Sequence, residues 1–273
     1  MNELTSSGTL QSSRPNNTWV SLSHLLSHWL PKVQRRLPRK LQAQKFWTVL
    51  PEDLYAKGVL SAAQPLHQAK KQCESPSDLF DFASRIFPAH QQPKEILDFI
   101  SLASALNPKV VLEIGTAEGG TQFLLGEALS SVTFSVALDL YVRNRKLLAE
   151  FTRKDLDRVI INGSSYEQAT VAHVTSMLAN QKIDILFIDG DHTYAGVKAD
   201  YEAYKGFVRN GGLIVFHDIV KDHHARFGTE SPGWSGGVPE FWQEVKSQQG
   251  GRRCWEFIAD PQQDGMGIGV LEA

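Results

Sequence analysis

The chain has only two cysteines among 273 residues, Cys73 and Cys254, and no Cys-x-x-Cys pair. It therefore has no disulfide framework, and the simpler expectation is a reduced, cytoplasmic compartment. Cys254 lies in a strand-like run and reads as core. No apolar run approaches the roughly 18 residues of a membrane span, so no transmembrane segment is expected. Charge of one sign is also missing: the formal net charge is −2, so no nucleic-acid partner is expected. What is present is ordinary for a globular protein, with 42% hydrophobic and 21% charged residues. A chain of this length can hold one large α/β domain plus an extension and bury a sizeable core. No internal repeat is visible.

The charge is unevenly placed. Residues 1–50 hold seven Lys/Arg and one acid, whereas the remainder holds 21 Lys/Arg and 29 acids. Residues 1–17 are rich in Ser, Thr and Asn and read as disordered. Residues 18–91 read as a basic, helical N-terminal extension. In it Leu22, Leu25, Leu26, Trp29, Val33 and Leu37 recur at helical spacing among Lys32, Arg35, Arg36, Arg39 and Lys40. Such a helix could lie on a membrane surface, pack on the main domain or on another subunit, or belong to a transit peptide. An exposed Trp19/Trp29 stripe would favour a homo-oligomer. Residues 51–74 look like an irregular connector, and Ser75-Pro76-Ser77-Asp78 is a helix start.

From residue 92 strands alternate with helices. The expected strands are 109–114, 134–139, 158–162, 183–188 and 212–217, with two more near 254–259 and 266–272. Val197, Tyr201, Tyr204 and Val208 predict a helix closed by Gly211-Gly212. Val238, Phe241, Trp242 and Val245 predict another. The fold class is α/β: a doubly wound, seven-stranded, mostly parallel sheet over residues 92–273, ending in an antiparallel hairpin.

Open parallel sheets bind ligands beyond the carboxyl ends of their strands, so the residues ending each strand carry the functional reading. The first ends in Glu113-Ile-Gly115-Thr116-Ala-Glu-Gly119-Gly120. Gly115 and Gly119 let the backbone approach a ligand closely, and the following helix N-terminus favours an anionic ligand group. The second ends in Asp139, placed to accept hydrogen bonds from ribose hydroxyls. The third ends in Gly163-Ser164-Ser165, where Ser164 suits an adenine edge. The fourth ends in Asp189-Gly-Asp-His192 and the fifth in His217-Asp218. Neighbouring strands lie about 4.8 Å apart, so Asp189 and Asp218 emerge together. Two close carboxylates call for a shared proton or a cation between them, and oxygen ligands suit a hard cation such as Mg²⁺. His192 could take a proton from a substrate hydroxyl, and His217 could be a third ligand or support the other two. The glycine-rich stretch Gly228–Gly237, preceded by His223 and His224, suggests a loop over the site.

Leu112–Gly120, Ile188–Tyr194, Gly211–Asp218 and Gly267–Val270 together resemble the class I S-adenosylmethionine-dependent methyltransferases. The resemblance is to the branch of macrocin-type O-methyltransferases and cephalosporin-hydroxylase-like proteins. It implies a cofactor, S-adenosylmethionine, held by Glu113, Gly115, Thr116, Gly119, Asp139, Ser164 and Asp189. It implies a metal held by Asp189, His217 and Asp218, and His192 as the catalytic base. At His217 the family pattern carries an acid, which leaves open Mg²⁺, a borderline divalent ion or no metal. The implied reaction is O-methylation of a small-molecule or sugar-containing substrate. Two rivals are a non-catalytic methyltransferase-like subunit and an NAD-type oxidoreductase. The absence of a third glycine at dinucleotide spacing opposes the oxidoreductase.

Overall fold

A computed structural model describes residues 55–223, 226 and 234–273. The expectations for residues 1–17, for the basic helix with Trp19 and Trp29, and for His224 and most of the Gly228–Gly237 stretch lie outside these residues. The chain divides into two compact units, Met1–Leu66 and His67–Ala273. In the first unit, residues 55–60 are helical. A second helix, α1, runs Ala63–Lys71 across the boundary, so the irregular connector expected over 51–74 is largely helical in its described part. Its Ala, Leu, Gln and Lys residues favour helix, and Pro65 falls in the first turn, where its missing N–H needs no partner.

The second unit is built on a seven-stranded sheet. Its strands are β1 (Val110–Ile114), β2 (Phe134–Asp139), β3 (Asp157–Asn162), β4 (Ile183–Ile188), β5 (Val208–His217), β6 (Cys254–Phe257) and β7 (Ile268–Glu272). They lie in the order β3-β2-β1-β4-β5-β7-β6. The first five are parallel, and β7 runs antiparallel between β5 and β6. The helices are α2 (Pro76–Ile86), α3 (Pro93–Ser104), α4 (Gly120–Ala128), α5 (Arg145–Phe151), α6 (Gln168–Leu178), α7 (Tyr194–Tyr204) and α8 (Val238–Ser247). Apolar residues alternate across β1: Val110, Leu112 and Ile114 face one core cluster and Val111 the other. The sheet is thus covered on both faces, as parallel sheets require.

The Ser75 cap is present. Ser75 Oγ accepts from the Asp78 N–H while the Asp78 carboxylate accepts from the Ser75 N–H. Helix α2, which the sequence assigns to the extension, lies in the same unit as the sheet and stacks Phe82 on Phe123 of α4, centroids 5.7 Å apart. One strand differs from expectation. Val208 is the first residue of β5, not the last apolar position of a helix, and pairs with Ile183. Gly211, at φ +72°, lies within β5 where its register against β4 shifts, so the glycine pair marks a bulge rather than a helix end. Buried Glu95 fastens the β6–β7 connection: its carboxylate accepts from the Ala259 and Gly267 backbone and from Gln263. Cys254, expected in the core, is half-buried.

Candidate active site

Pairing places Leu138 beside Ile114, Ile114 beside Ile188, and Ile188 beside Phe216. The next residues, Asp139, Gly115, Asp189 and His217, therefore leave the sheet in one row across β2, β1, β4 and β5. Local chemistry then fixes each of them. Gly115 has φ +87°, and a Cβ there would lie 1.8 Å from the Asp189 carbonyl oxygen. Glycine is required by the close passage of two strand ends. Gly119 is also left-handed, and a Cβ there would meet Leu148 at 2.7 Å.

Glu113 is buried. Its Oε2 accepts from Thr116 Oγ1 at 2.9 Å. Burial raises its carboxyl to about 8, against the opposing Thr116 hydrogen bond, and it braces the turn from beneath. Asp139 accepts from the Ala117 and Tyr141 N–H groups, each at 2.9 Å. Each carboxylate oxygen keeps a second lone pair, so Asp139 can shape the turn and still accept from a ligand. Ser164 is half-buried in the β3–α6 turn. The neighbouring Ser165 donates to Asp200, a fully buried acid that burial raises to about 6.

The carboxylates and histidines converge. His192 Nε2 lies 3.3 Å from Asp189 Oδ1, and His217 Nδ1 lies 3.1 Å from the same oxygen and 3.3 Å from Asp218 Oδ2. Asp218 is held at φ +62°, unusual for a non-glycine residue, and its Oδ1 accepts from the Met266 N–H at 3.1 Å. His192 Nδ1 donates to the Trp234 carbonyl at 2.7 Å and lies 3.5 Å from Asp218 Oδ2, while Nε2 faces Asp189. Burial alone would lower both imidazoles. The Asp189 hydrogen bond and the two carboxylate charges outweigh it for His192, which rises to about 9. The same two charges raise His217 well above its ordinary value. Asp189 is lowered against its burial by the His217 charge and by hydrogen bonds from His192 and His217.

Among the described residues, Asp189, His192 and Asp218 offer ligand atoms that all lie within 4.8 Å of one another. The sequence assigned the ligand set Asp189, His217 and Asp218. The structure groups His192 with the two acids, and places His217 beneath them as a buried link between their carboxylates. The backbone around His192 is also held: Gly237 N–H donates to the His192 carbonyl at 2.8 Å, and a Cβ on Gly236 would lie 2.2 Å from that oxygen.

One site residue escaped the sequence reading. Gln91 lies between α2 and α3, and its Nε2 donates to Asp189 Oδ2 at 3.1 Å. Beside it His90 Nε2 pairs with Glu118 of the glycine turn at 3.1 Å. No local pattern marks either residue. Only the packing of α2 on α4 brings them there.

Residues 112–219 match a methyltransferase domain family. Over this stretch the chain is similar to a methyltransferase domain, and its sheet has the strand order of a Rossmann-like methyltransferase fold. Placing β7 antiparallel between β5 and β6 separates this domain from the all-parallel dinucleotide fold, whose order is 3-2-1-4-5-6. The chain overlaps MycE methyltransferase from the mycinamycin biosynthetic pathway, solved with Mg and SAH, at TM-score 0.51 and 16% identity. That match covers 74% of this chain and 55% of that one. The complex of the same enzyme with Mg, SAH and mycinamycin VI gives TM-score 0.50, with 74% and 54% covered. At this identity the likeness is one of fold. An uncharacterised protein, R132 of Acanthamoeba polyphaga mimivirus, is 35% identical over 116 residues, 39% of this chain and 50% of that protein. The chain thus spans about half the length of that relative. Among the described residues, no helix is long and apolar enough to cross a membrane.

Proposed function

We propose that the protein is an S-adenosylmethionine-dependent O-methyltransferase that acts, with a divalent cation, on a hydroxyl of a small-molecule or sugar-containing substrate. The observation that carries this reading is the convergence of Asp189, His192 and Asp218 beside the glycine turn. The two carboxylates suit Mg²⁺ or a borderline divalent ion, and their paired negative charge calls for a cation. Asp189 and Asp218 would hold it. A bound cation lowers the pKa of a substrate hydroxyl and orients it.

The chain's own groups supply the rest. Asp139 accepts the ribose hydroxyls, the Gly115–Gly119 turn admits the cofactor, and exposed Leu140 offers an apolar surface next to Asp139. His192 receives the hydroxyl proton at Nε2, because Nδ1 is committed to the Trp234 carbonyl. Its raised pKa depends on the Asp189 and Asp218 charges. With those charges neutralised, the imidazole becomes a base near neutral pH. Holding the methyl group in line with the nucleophile supplies much of the rate. Mycinamycin VI, present in the MycE complex, is the first compound to test as an acceptor.

The test is calorimetric titration with S-adenosylhomocysteine, with and without Mg²⁺, beside Asp139→Ala. Expected are binding by the wild type, its loss or strong weakening in Asp139→Ala, and a heat of Mg²⁺ binding abolished by Asp189→Ala. Folded wild-type protein that binds no S-adenosylhomocysteine in either condition refutes the reading.

A further inference from the structure

Gln91 is buried, and its Oε1 accepts no hydrogen bond from any described residue. Buried carbonyl oxygens are nearly always paired, so this atom points to a ligand. Resting on the cofactor reading above, we propose that Gln91 is a cofactor-binding residue. Its carbonyl oxygen accepts from the α-ammonium of the cofactor's amino-acid end, while its amide nitrogen holds Asp189.

Three observations give the direction. First, ionised Asp189 can only accept hydrogen bonds. Gln91 must turn its NH₂ toward that carboxylate, as the 3.1 Å contact shows, and its oxygen faces the other way. A cation ligand would need the opposite orientation, with the oxygen toward the acids. Second, the segment carrying Gln91 lies over the glycine turn. A Cβ on Gly120 would meet the Phe87 carbonyl oxygen and the Ala89 nitrogen, each at 2.5 Å, and His90 pairs with Glu118. Third, the row of strand ends orders the ligand. With the ribose at Asp139 on β2, the other end of the cofactor runs past Gly115 toward β4, where Asp189 and Gln91 stand. That end carries one carboxylate and one ammonium. The unpaired carbonyl oxygen there can accept from the ammonium and repels the carboxylate, so it selects the ammonium.

The experiment measures the affinity of the full chain, in chelator, for two ligands: S-adenosylhomocysteine and its analogue lacking the α-amino group. Both are titrated into the wild type and into Gln91→Met, which keeps the length and unbranched shape of the side chain. A hydrogen bond to a charged donor predicts a loss of about 10-fold or more in S-adenosylhomocysteine affinity. The amine-free analogue should bind wild type and variant within about a factor of 3. The ratio of the two affinities on one variant is insensitive to its folded fraction, so a destabilised variant still reports. Mn²⁺ binding, measured separately, reports what loss of the hydrogen bond to Asp189 does to the cation site. Equal losses for both ligands, no loss for either, or a loss confined to Mn²⁺ affinity overturns the proposal. Wild type that binds neither ligand refutes the cofactor reading itself, and this proposal with it.

Discussion

A Gly115→Ala substitution would place a Cβ 1.8 Å from the Asp189 carbonyl oxygen and 2.7 Å from the Gly190 nitrogen. Both obstacles are backbone, so no side chain can swing aside. Left-handed backbone alone costs an L-residue about 1–2 kcal/mol. Relief of the overlap must part the ends of β1 and β4, which sacrifices the Asp189 N–H bond to the Ile114 carbonyl, now 2.9 Å and worth about 1 kcal/mol. The combined loss is about 2–3 kcal/mol. For a chain of this size that corresponds to a fall in Tm of roughly 4–12 °C. The assay is thermal unfolding followed by far-UV circular dichroism, beside Gly206→Ala, where a new Cβ meets nothing within 4 Å. That control should stay within about 0.5 kcal/mol of wild type. Because Asp189 would move with the strand end, S-adenosylhomocysteine and Mg²⁺ binding should fall together in the folded variant. Gly115→Ala melting with the Gly206→Ala control would refute the close-approach argument.

Two further perturbations probe the buried acid and the helix cap. Burial raises Asp200 from an ordinary 3.8 to about 6, so the folded state holds this proton more tightly than the unfolded chain. Its contribution is fully present below about pH 4 and is lost as pH rises through 6, a cost of up to about 3 kcal/mol above pH 7. Asp200→Asn cannot ionise, so its stability relative to wild type should rise between pH 4 and pH 8 in urea unfolding; a pH-independent gap would sink this account. Ser75→Ala removes a capping box and should cost about 1 kcal/mol, or roughly 2–4 °C in Tm. Cofactor affinity should stay unchanged, and an affinity loss without a melting shift would contradict a purely structural role.

Short-range patterns made much of the domain legible. The glycine turn after Glu113, the acid at Asp139 and the run ending at Asp189 could be placed because alternation and turn chemistry act over a few residues. The Ser75 start was readable for the same reason: both capping partners lie within four positions. The helix expected through Val208 failed because an apolar residue at i+11 fits a helix and the start of a strand equally well. Pairing with Ile183 decides between them.

The sequence by itself determined which residues end the strands, and hence that Asp139, Gly115, Asp189 and His217 would emerge at one end of a parallel sheet. Only the tertiary structure decided how they meet. It set β7 between β5 and β6, and brought Glu95 to the hairpin from about 170 positions away. It turned His192 in among the acids through the Trp234 carbonyl, and carried Gln91 to Asp189 across 98 residues. Local propensity records the conformational preference of neighbours along the chain. These contacts arise from packing two helical layers on a sheet, and no short stretch of sequence encodes which distant side chain fills the remaining space.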